Sequence, residues 1–291
     1  MYRMNRVSNI GVIGAGTMGA GIAQVAAIAG YKVVLVDTTD EFVRRGLDKV
    51  AERLKRLVDK DTIPDEESQA AFGRVAGSVE THSLGDADLV IEAVIESIET
   101  KLSVFAEIDG VVGETAILAS NTSSISITAL AAGVSNPARF AGMHFFNPVP
   151  VLKLVEVVRG LQTEDATVTA LHEVARSMGK TPITVADMPG FAANRILVPM
   201  INEAIFALAD GVASASDIDE VMKLGASHPM GPLALADLIG LDVCLHIMEV
   251  LHQDFGDDKY RPAPRLRQMV SAGMLGRKSG EGFHQYDPRR S

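Results

Sequence analysis

The sequence of 291 residues contains one cysteine, Cys244, and no tryptophan. A single cysteine cannot form an intrachain disulfide, so a disulfide framework is excluded, and the reducing cytoplasm is the expected compartment. Low-complexity tracts are also missing. With 47% hydrophobic and 22% charged residues, the composition is typical of an ordered globular protein and excludes a disordered chain.

Long apolar runs and an excess of positive charge are missing as well. Residues 7–31 carry no charge, but six glycines interrupt this stretch, and no other run reaches the ~20 apolar residues of a membrane-spanning helix. We therefore expect no membrane segment. The net charge of −10 argues against nucleic acid as the main partner, because phosphate backbones bind to basic surfaces.

The N-terminal segment has a pattern typical of a βαβ unit. VSNIGVI predicts a buried strand, GAGTMG a turn and GIAQVAAIAG a helix of small residues. The next segment, YKVVLVD, predicts a second strand that ends in an acid, Asp37.

Gly14, Gly16 and Gly19 have the G-x-G-x-x-G spacing within this unit. The first glycine permits a tight turn, the second lets a pyrophosphate approach the backbone, and the third lets the helix pack on the strand. Thr17 and Met18 complete the cofactor-binding turn at the start of the helix, where the partial positive charge favours phosphate. The alternative is a purely structural turn.

Asp37 lies 18 residues beyond Gly19, at the end of the second predicted strand. A carboxylate at this place accepts hydrogen bonds from a ribose diol. It also repels the 2′-phosphate of NADP, and Thr38 and Thr39 supply no arginine to neutralise that phosphate. The sequence therefore predicts NAD as the cofactor.

Alternating strands and helices continue to about residue 187 and predict a parallel, doubly wound sheet of the Rossmann type. The further predicted strands are 75–79, 88–93, 116–120, 139–143 and 181–185, and the helices lie near 40–60, 99–110 and 164–178. Glu96, Ser120 to Ser124 and His144 follow predicted strand ends. Because ligands bind at the carboxyl ends of such strands, we expect these residues near the cofactor.

The predicted helix after Asp37 carries four cations, Lys49, Arg53, Arg56 and Lys60, at spacings that place them on one face. A solvated basic face is one interpretation. A clamp for an anionic ligand, such as a phosphorylated adenosine, is the other.

HFFNPVP, residues 144–150, places His144 on a restrained backbone, because proline limits its own conformation and that of the preceding residue. Twelve residues later, KLVEVV places Glu156 in a short predicted strand. A carboxylate at one ring nitrogen fixes the tautomer and favours the imidazolium, so that the other nitrogen can take a proton from a hydroxyl. The alternative is a histidine that caps a strand end. The remaining histidines show no metal-ligand pattern, and we expect no metal.

From residue 188 to 291 the pattern predicts a smaller, all-α domain. One predicted helix contains Pro199, and LIGLDVCLHIMEVLHQDF is apolar over most of its circumference. About a hundred residues with this much apolar helix surface predict contact with a second subunit through these helices, although a compact monomer is the alternative.

Taken in order along the chain, these motifs resemble the short-chain L-3-hydroxyacyl-CoA dehydrogenase family, and within it the stand-alone bacterial 3-hydroxybutyryl-CoA dehydrogenases. The resemblance covers nearly the whole chain. It is carried by GAGTMG, Asp37, EAVIE, SNTSS, HFFNPVPV, KLVEVVRG, PGFAANRILVPMINEA, LGASHPMGP and GRKSGEGF.

The resemblance implies a role for each matching residue. His144 would be the general base paired with Glu156, Ser123 would hydrogen-bond the 3-oxygen of the substrate, and Asn194 would help to hold the substrate. The implied cofactor contacts also include Glu96, Lys101, Ser123, Asn147 and Lys278. The implied coenzyme A contacts are Arg53, Lys60, Ser123 and Asn194.

The implied activity is the reversible, NAD-dependent oxidation of an (S)-3-hydroxyacyl-CoA in fatty acid metabolism, by a cytoplasmic homodimer. A dehydrogenase of a free hydroxy acid or sugar acid on the same scaffold is the alternative. A third possibility is a protein that binds NAD without catalysis. Retention of all four residues 123, 144, 156 and 194 argues against that third possibility.

Overall fold

A computed structural model describes residues 7–287. The chain divides into two compact units between Met188 and Pro189, one residue from the boundary that the sequence predicts. The first unit is α/β and the second is helical, so the predicted fold class is confirmed.

The first unit contains an eight-stranded sheet in the order β3-β2-β1-β4-β5-β6-β7-β8. The strands are β1 Asn9–Ile13, β2 Lys32–Val36, β3 Val75–Ser78, β4 Leu89–Glu92, β5 Ile117–Ser120, β6 Phe140–Phe145, β7 Leu154–Arg159 and β8 Thr181–Ala186. The order of the first six is that of the doubly wound dinucleotide-binding fold, which places the ligand at the carboxyl ends beside β1 and β4.

The last two strands depart from the predicted parallel arrangement. β7 runs antiparallel to β6, and β8 is parallel to β7, so both run opposite to the first six strands. The physical reason is the short connection of residues 146–153, because a parallel crossover needs a dozen or more residues. The antiparallel turn brings residues from both sides of HFFNPVP directly opposite one another.

Helices of the first unit lie between the strands. They are α1 Thr17–Ile28, α2 Asp40–Asp59, α3 Asp65–Phe72, α4 Ile98–Asp109, α5 Ile127–Ala131 and α6 Asp165–Ser177, with 3-10 turns at Thr81–Leu84 and Pro137–Arg139. α2 begins where the Thr39 hydroxyl accepts the Phe42 N–H at 3.2 Å, and α4 begins where Ser97 caps Thr100 in the same way. Short polar side chains thus fix where these helices start.

The core of this unit lies between the sheet and its helices. β1 and β4 are almost completely buried, as expected of central parallel strands. Ala20, Ala23 and Ala27 of α1 have no exposed surface. Their small side chains let α1 lie close to the sheet, so its first turn is held firmly at the end of β1.

The second unit consists of five helices and two 3-10 turns within the described residues. They are α7 Ala193–Ala209, α8 Ala215–Gly225, α9 Pro232–Ile239, α10 Leu241–Phe255 and α11 Pro264–Ser271, with the turns at Asp258–Tyr260 and Arg277–Ser279. The single helix expected over LIGLDVCLHIMEVLHQDF is wrong. Gly240, with φ at +105°, separates α9 from α10, a backbone conformation that glycine adopts at little cost.

Two buried aspartates hold the helical unit together. Asp219 accepts the N–H groups of Leu233 and Ala234 at the start of α9, at 2.8 and 3.0 Å. Asp237 accepts the N–H groups of Phe283 and His284, both at 2.9 Å. Leu233 follows directly after the motif LGASHPMGP, and Phe283 is the last residue of GRKSGEGF, so each motif leads into a backbone segment that a buried carboxylate holds.

Candidate active site

The glycine-rich turn between β1 and α1 is closely packed. Gly14 has φ at +98°, and a Cβ on Gly19 would lie 1.7 Å from the carbonyl oxygen of Gly14. By contrast, a Cβ on Gly16 would have no atom of the described residues within 4 Å beyond its own neighbours along the chain. The turn is therefore compact on its protein side and open at Gly16, as a pyrophosphate site requires.

The N-terminus of α1 is suited to phosphate. Gly16 is its N-cap, no side chain within residues 7–287 caps it by a hydrogen bond, and its first turn contains no acid. The N–H groups at the start of a helix then carry partial positive charge towards a ligand. The residues present thus fit a dinucleotide.

Asp37 follows the last residue of β2 and braces the same turn. One carboxylate oxygen accepts the Ala15 N–H at 2.7 Å, and the other accepts the Thr38 N–H at 2.7 Å. The side chain is half-buried. Its position beside the glycine-rich turn is the one from which a carboxylate reaches the ribose of a dinucleotide.

His144 and Glu156 are direct partners across the β6–β7 ladder. His144 Nδ1 lies 2.8 Å from a Glu156 carboxylate oxygen, and the two residues are 3% and 2% exposed. The ring of Phe146 lies 4.4 Å from the imidazole, centroid to centroid. The chain thus holds the imidazole by a charge-assisted hydrogen bond in a site shielded from water.

The loop after His144 is held at both ends. Asn121 Oδ1 accepts the Phe145 N–H at 2.8 Å. Lys180, which is 7% exposed, donates to the carbonyls of Val149 and Leu152. Burial lowers the pKa of Lys180 from its ordinary value. The sequence does not predict that Asn121 or Lys180 holds this loop, although Asn121 lies in the SNTSS segment after β5.

Glu96 gathers the residues that follow β5. One of its oxygens accepts the Thr122 hydroxyl at 2.6 Å, the Ser123 N–H at 2.9 Å and the Ser124 N–H at 3.1 Å. Burial opposes ionisation of Glu96, but Lys101 and the hydrogen bonds from residues 122–124 outweigh it and hold the pKa of the carboxyl below its usual value. Glu96 is therefore an anion that fixes the backbone of Ser123.

Lys101 occupies an unexpected environment for a predicted cofactor contact. It is 1% exposed, and its ammonium lies 2.7 Å from Glu92 and 3.3 Å from Glu96. Glu92, at the end of β4, is 0% exposed and was not predicted as a site residue. The sequence signal for this burial is the spacing of Lys101, Phe105 and Ile108, which form one buried face of α4.

The four cations of α2 do not share one environment. Lys49 and Arg53 are half-buried, whereas Arg56 and Lys60 are exposed. Arg53 points towards α1 and lies 3.4 Å from the Thr17 carbonyl, while Arg56 pairs with Glu52 at 2.6 Å. Burial and the neighbouring Arg56 lower the pKa of Arg53. Of these four cations, Arg53 is thus the one that reaches the first turn of α1.

In the helical unit, Asn194 lies in the first turn of α7 and is 9% exposed. Lys278 is half-exposed and its ammonium lies 2.6 Å from an oxygen of Asp242. Asn147 is exposed in the loop of the α/β unit. The surroundings of these three residues are therefore defined, but their contacts with a ligand stay predictions.

Residues 7–287 contain neither a metal-binding cluster nor a membrane-spanning helix. Among them no three His, Cys, Asp or Glu side chains are grouped so that they could hold a metal ion. Over the same range, no helix combines the length and the hydropathy needed to cross a membrane.

Comparison with known proteins gives matches to both units. The family description "3-hydroxyacyl-CoA dehydrogenase, NAD binding domain" matches residues 9–188, and "3-hydroxyacyl-CoA dehydrogenase, C-terminal domain" matches residues 190–286. A protein of Deinococcus radiodurans named probable 3-hydroxybutyryl-CoA dehydrogenase is 54% identical over 276 residues, which cover 95% of this chain and 99% of the relative.

Similarity extends to a human protein and to a solved structure. The human mitochondrial hydroxyacyl-coenzyme A dehydrogenase is 42% identical over 96% of this chain and 91% of its own. The crystal structure of (S)-3-hydroxybutyryl-CoA dehydrogenase from Ralstonia eutropha is 53% identical, with a TM-score of 0.94, and covers 97% of this chain and 99% of that one. The similarity therefore includes every segment that contributes to the site.

Proposed function

Because the chain belongs to the 3-hydroxyacyl-CoA dehydrogenase family, we propose that it oxidises (S)-3-hydroxyacyl-CoA thioesters, 3-hydroxybutyryl-CoA among them, to 3-ketoacyl-CoA in a reversible, NAD-dependent reaction. The observation that carries this proposal is the register that sets His144 against Glu156, in the same unit as the glycine-rich turn. The names of the relatives from Deinococcus radiodurans and Ralstonia eutropha support the substrate class.

The glycine-rich turn and the first turn of α1 would hold the pyrophosphate, and Asp37 would hold a ribose. When bound, NAD supplies the acceptor for the hydride that leaves C3 of the substrate. The open space at Gly16 and the uncapped start of α1 support this placement. The carboxylate of Asp37 disfavours a 2′-phosphate at the same place.

His144 takes the hydroxyl proton at Nε2 as the C3 hydride leaves, and the Glu156 carboxylate at Nδ1 stabilises the imidazolium that forms. In the reverse direction the same imidazolium returns the proton. Ser123, whose backbone Glu96 fixes, would hydrogen-bond the 3-oxygen. Asn194 remains a predicted substrate contact.

Arg53 and Lys60 are the proposed cations for coenzyme A. Arg53 is supported by its half-buried position beside α1, and Lys60 by its exposure at the end of α2. Glu96, Lys101, Asn147 and Lys278 remain proposed cofactor contacts, and the cytoplasm remains the proposed compartment.

The proposed activity predicts that the protein oxidises NADH when acetoacetyl-CoA is supplied. NADH should be preferred to NADPH by about 100-fold or more, because bringing like charges together at Asp37 costs several kcal/mol. The measurement is the loss of nicotinamide absorbance with 3-ketoacyl-CoA thioesters of increasing chain length.

Free acetoacetate is the matched control, since it keeps the 3-keto group and lacks coenzyme A. Turnover of the free acid without turnover of the thioester would favour the hydroxy-acid dehydrogenase. Binding of NADH without turnover of either compound would indicate a non-catalytic protein.

We also propose that the protein is a homodimer that associates through the helical unit. Exposed apolar side chains lie on and beside α7 and α8, among them Val212, Val221 and Leu224 at 73%, 64% and 77% exposure. A cavity of about 420 Å³ with an almost wholly apolar lining lies at the same face. Clustered apolar surface of this kind marks a protein interface.

Size-exclusion chromatography with light scattering tests this proposal. The native chain should elute at twice its mass of 30.9 kDa, and the double variant Val221→Asp with Leu224→Asp should elute as a monomer. Leu161→Asp is the control, because Leu161 is 86% exposed on the α/β unit and should leave the dimer intact. A native monomer would contradict the proposal.

A further inference from the structure

Glu92 is a fully buried carboxylate for which no role follows from the steps above. It ends β4, whose other residues, Leu89, Val90 and Ile91, are apolar and completely buried. A charged group at such a position costs free energy unless it is paired and hydrogen-bonded. Its presence in an apolar strand therefore requires a specific stabilising environment.

Three donors from three different segments satisfy this carboxylate. Oε1 accepts the Val94 N–H and the Lys101 ammonium, both at 2.7 Å. Oε2 accepts the Ser120 hydroxyl at 2.6 Å. Glu92 thus joins the turn after β4, helix α4 and the end of β5 at one point.

Two routes lead from Glu92 into the segment of Thr122 and Ser123. In the first, Lys101 lies between Glu92 and Glu96, and Glu96 accepts the Ser123 N–H. In the second, the Ser120 hydroxyl that donates to Glu92 also accepts the Thr122 N–H at 3.2 Å.

The charges of this cluster depend on one another. The Lys101 ammonium is buried between two carboxylates, and its charge helps to hold the pKa of Glu96 below the usual value against the effect of burial. Removing the charge of Glu92 leaves the ammonium with Glu96 alone, so Lys101 would be drawn towards Glu96. Glu96 then shifts relative to the N–H groups that it holds at residues 123 and 124.

We propose that Glu92 is a positioning residue, which sets Lys101 and Ser120 and through them the placement of Glu96 and Ser123. This inference rests on the proposed function for the roles of Ser123 and the cofactor contacts. On this proposal, Glu92 at the end of β4 aligns the residues that contact the cofactor with the residue that contacts the substrate.

Glu92→Gln tests the proposal, because it keeps the shape and removes the charge. We expect kcat with acetoacetyl-CoA to fall by about 10- to 100-fold, since a displacement of about 1 Å can cost 10²-fold. We expect the Kd for NADH, measured by fluorescence titration, to rise by about tenfold. The titration needs no substrate, so it tests Glu92 even if the native protein fails to reduce acetoacetyl-CoA.

A double-mutant cycle with Lys101→Met separates positioning from general stability. If Glu92 acts largely through Lys101, adding Glu92→Gln to the Lys101→Met variant should change the NADH Kd by less than about threefold. The double variant should also melt higher than Lys101→Met alone, because the buried carboxylate of Glu92 is then no longer left opposite a missing ammonium. Fully additive effects would overturn the route through Lys101.

Asp109→Asn is the matched control. Asp109 forms a largely buried ion pair with Arg139 at 2.9 Å in the same unit, and its loss should lower the melting temperature without changing NADH affinity. Ser120→Ala is a milder second variant, should Glu92→Gln fail to fold, and it should change the kinetics in the same direction. Variants of Glu92 and Ser120 that alter only the melting temperature, like Asp109→Asn, would refute the proposal.

Discussion

Replacing His144 with alanine is expected to lower kcat for 3-hydroxybutyryl-CoA by about 10²- to 10⁴-fold, the usual contribution of a general acid–base group. The affinity for NAD should stay within about threefold of the native value, because the glycine-rich turn and Asp37 follow other strands, β1 and β2, and each tenfold loss needs about 1.4 kcal/mol. Steady-state kinetics and NADH fluorescence titration measure the two quantities separately.

The expectation follows from the β6–β7 register. A one-residue slip of an antiparallel pair would place residues 144 and 156 on opposite faces, and the observed register places them directly opposite each other. Burial of both groups strengthens their hydrogen bond and fixes the imidazole. The loss of His144 therefore removes a base held in one orientation, which bulk water replaces poorly.

Two further variants define what this result means. Glu156→Gln should impair turnover less than His144→Ala, since the imidazole remains but loses the charge that stabilises its protonated form. His172→Ala is the control, because His172 bonds the Thr184 hydroxyl at the exposed side of β8. Near-native turnover of the His144 variant would remove this residue from the proposed mechanism.

The regular part of the fold was predictable because its signals are local. Strand and helix periods placed all eight strands of the sheet, and the glycine spacing placed the start of α1. Helix α3 was missed, since the short polar segment DEESQAAF has only a weakly apolar face and little period. The division at Gly240 was missed for the opposite reason: α9 and α10 are apolar on more than one face, so the period gives no boundary.

Within the site, motifs predicted residues that have a recognisable partner nearby in the sequence. They missed residues that only tertiary packing brings together. His144 and Glu156 could be paired from a separation of twelve residues and an intervening proline-rich turn. The ion pair of Glu92 with Lys101 joins a strand end to a helix, and its only sequence signal is a lysine on the buried face of α4. Charge pairing inside a core is decided by tertiary structure.

The second large effect is expected at the glycine-rich turn, where two alanine substitutions should fail for different reasons. Gly16→Ala should leave the melting temperature of the protein without ligand unchanged, because its Cβ enters open space. NAD affinity should nevertheless fall by about 10- to 100-fold, since the methyl group blocks a hydrogen bond to the charged pyrophosphate, and such a bond contributes about 1.5–3 kcal/mol.

Gly19→Ala should instead damage the fold, because its Cβ would lie 1.7 Å from the Gly14 carbonyl oxygen and a backbone atom must move. An overpacked core position costs about 3 kcal/mol, and the melting temperature should fall by about 10 °C. Thermal unfolding with and without NAD measures both effects: NAD should raise the melting temperature of the native protein and scarcely that of Gly16→Ala. Equal stabilisation of the native protein and Gly16→Ala by NAD would place the pyrophosphate elsewhere, because only a ligand that contacts the turn can sense the added methyl group.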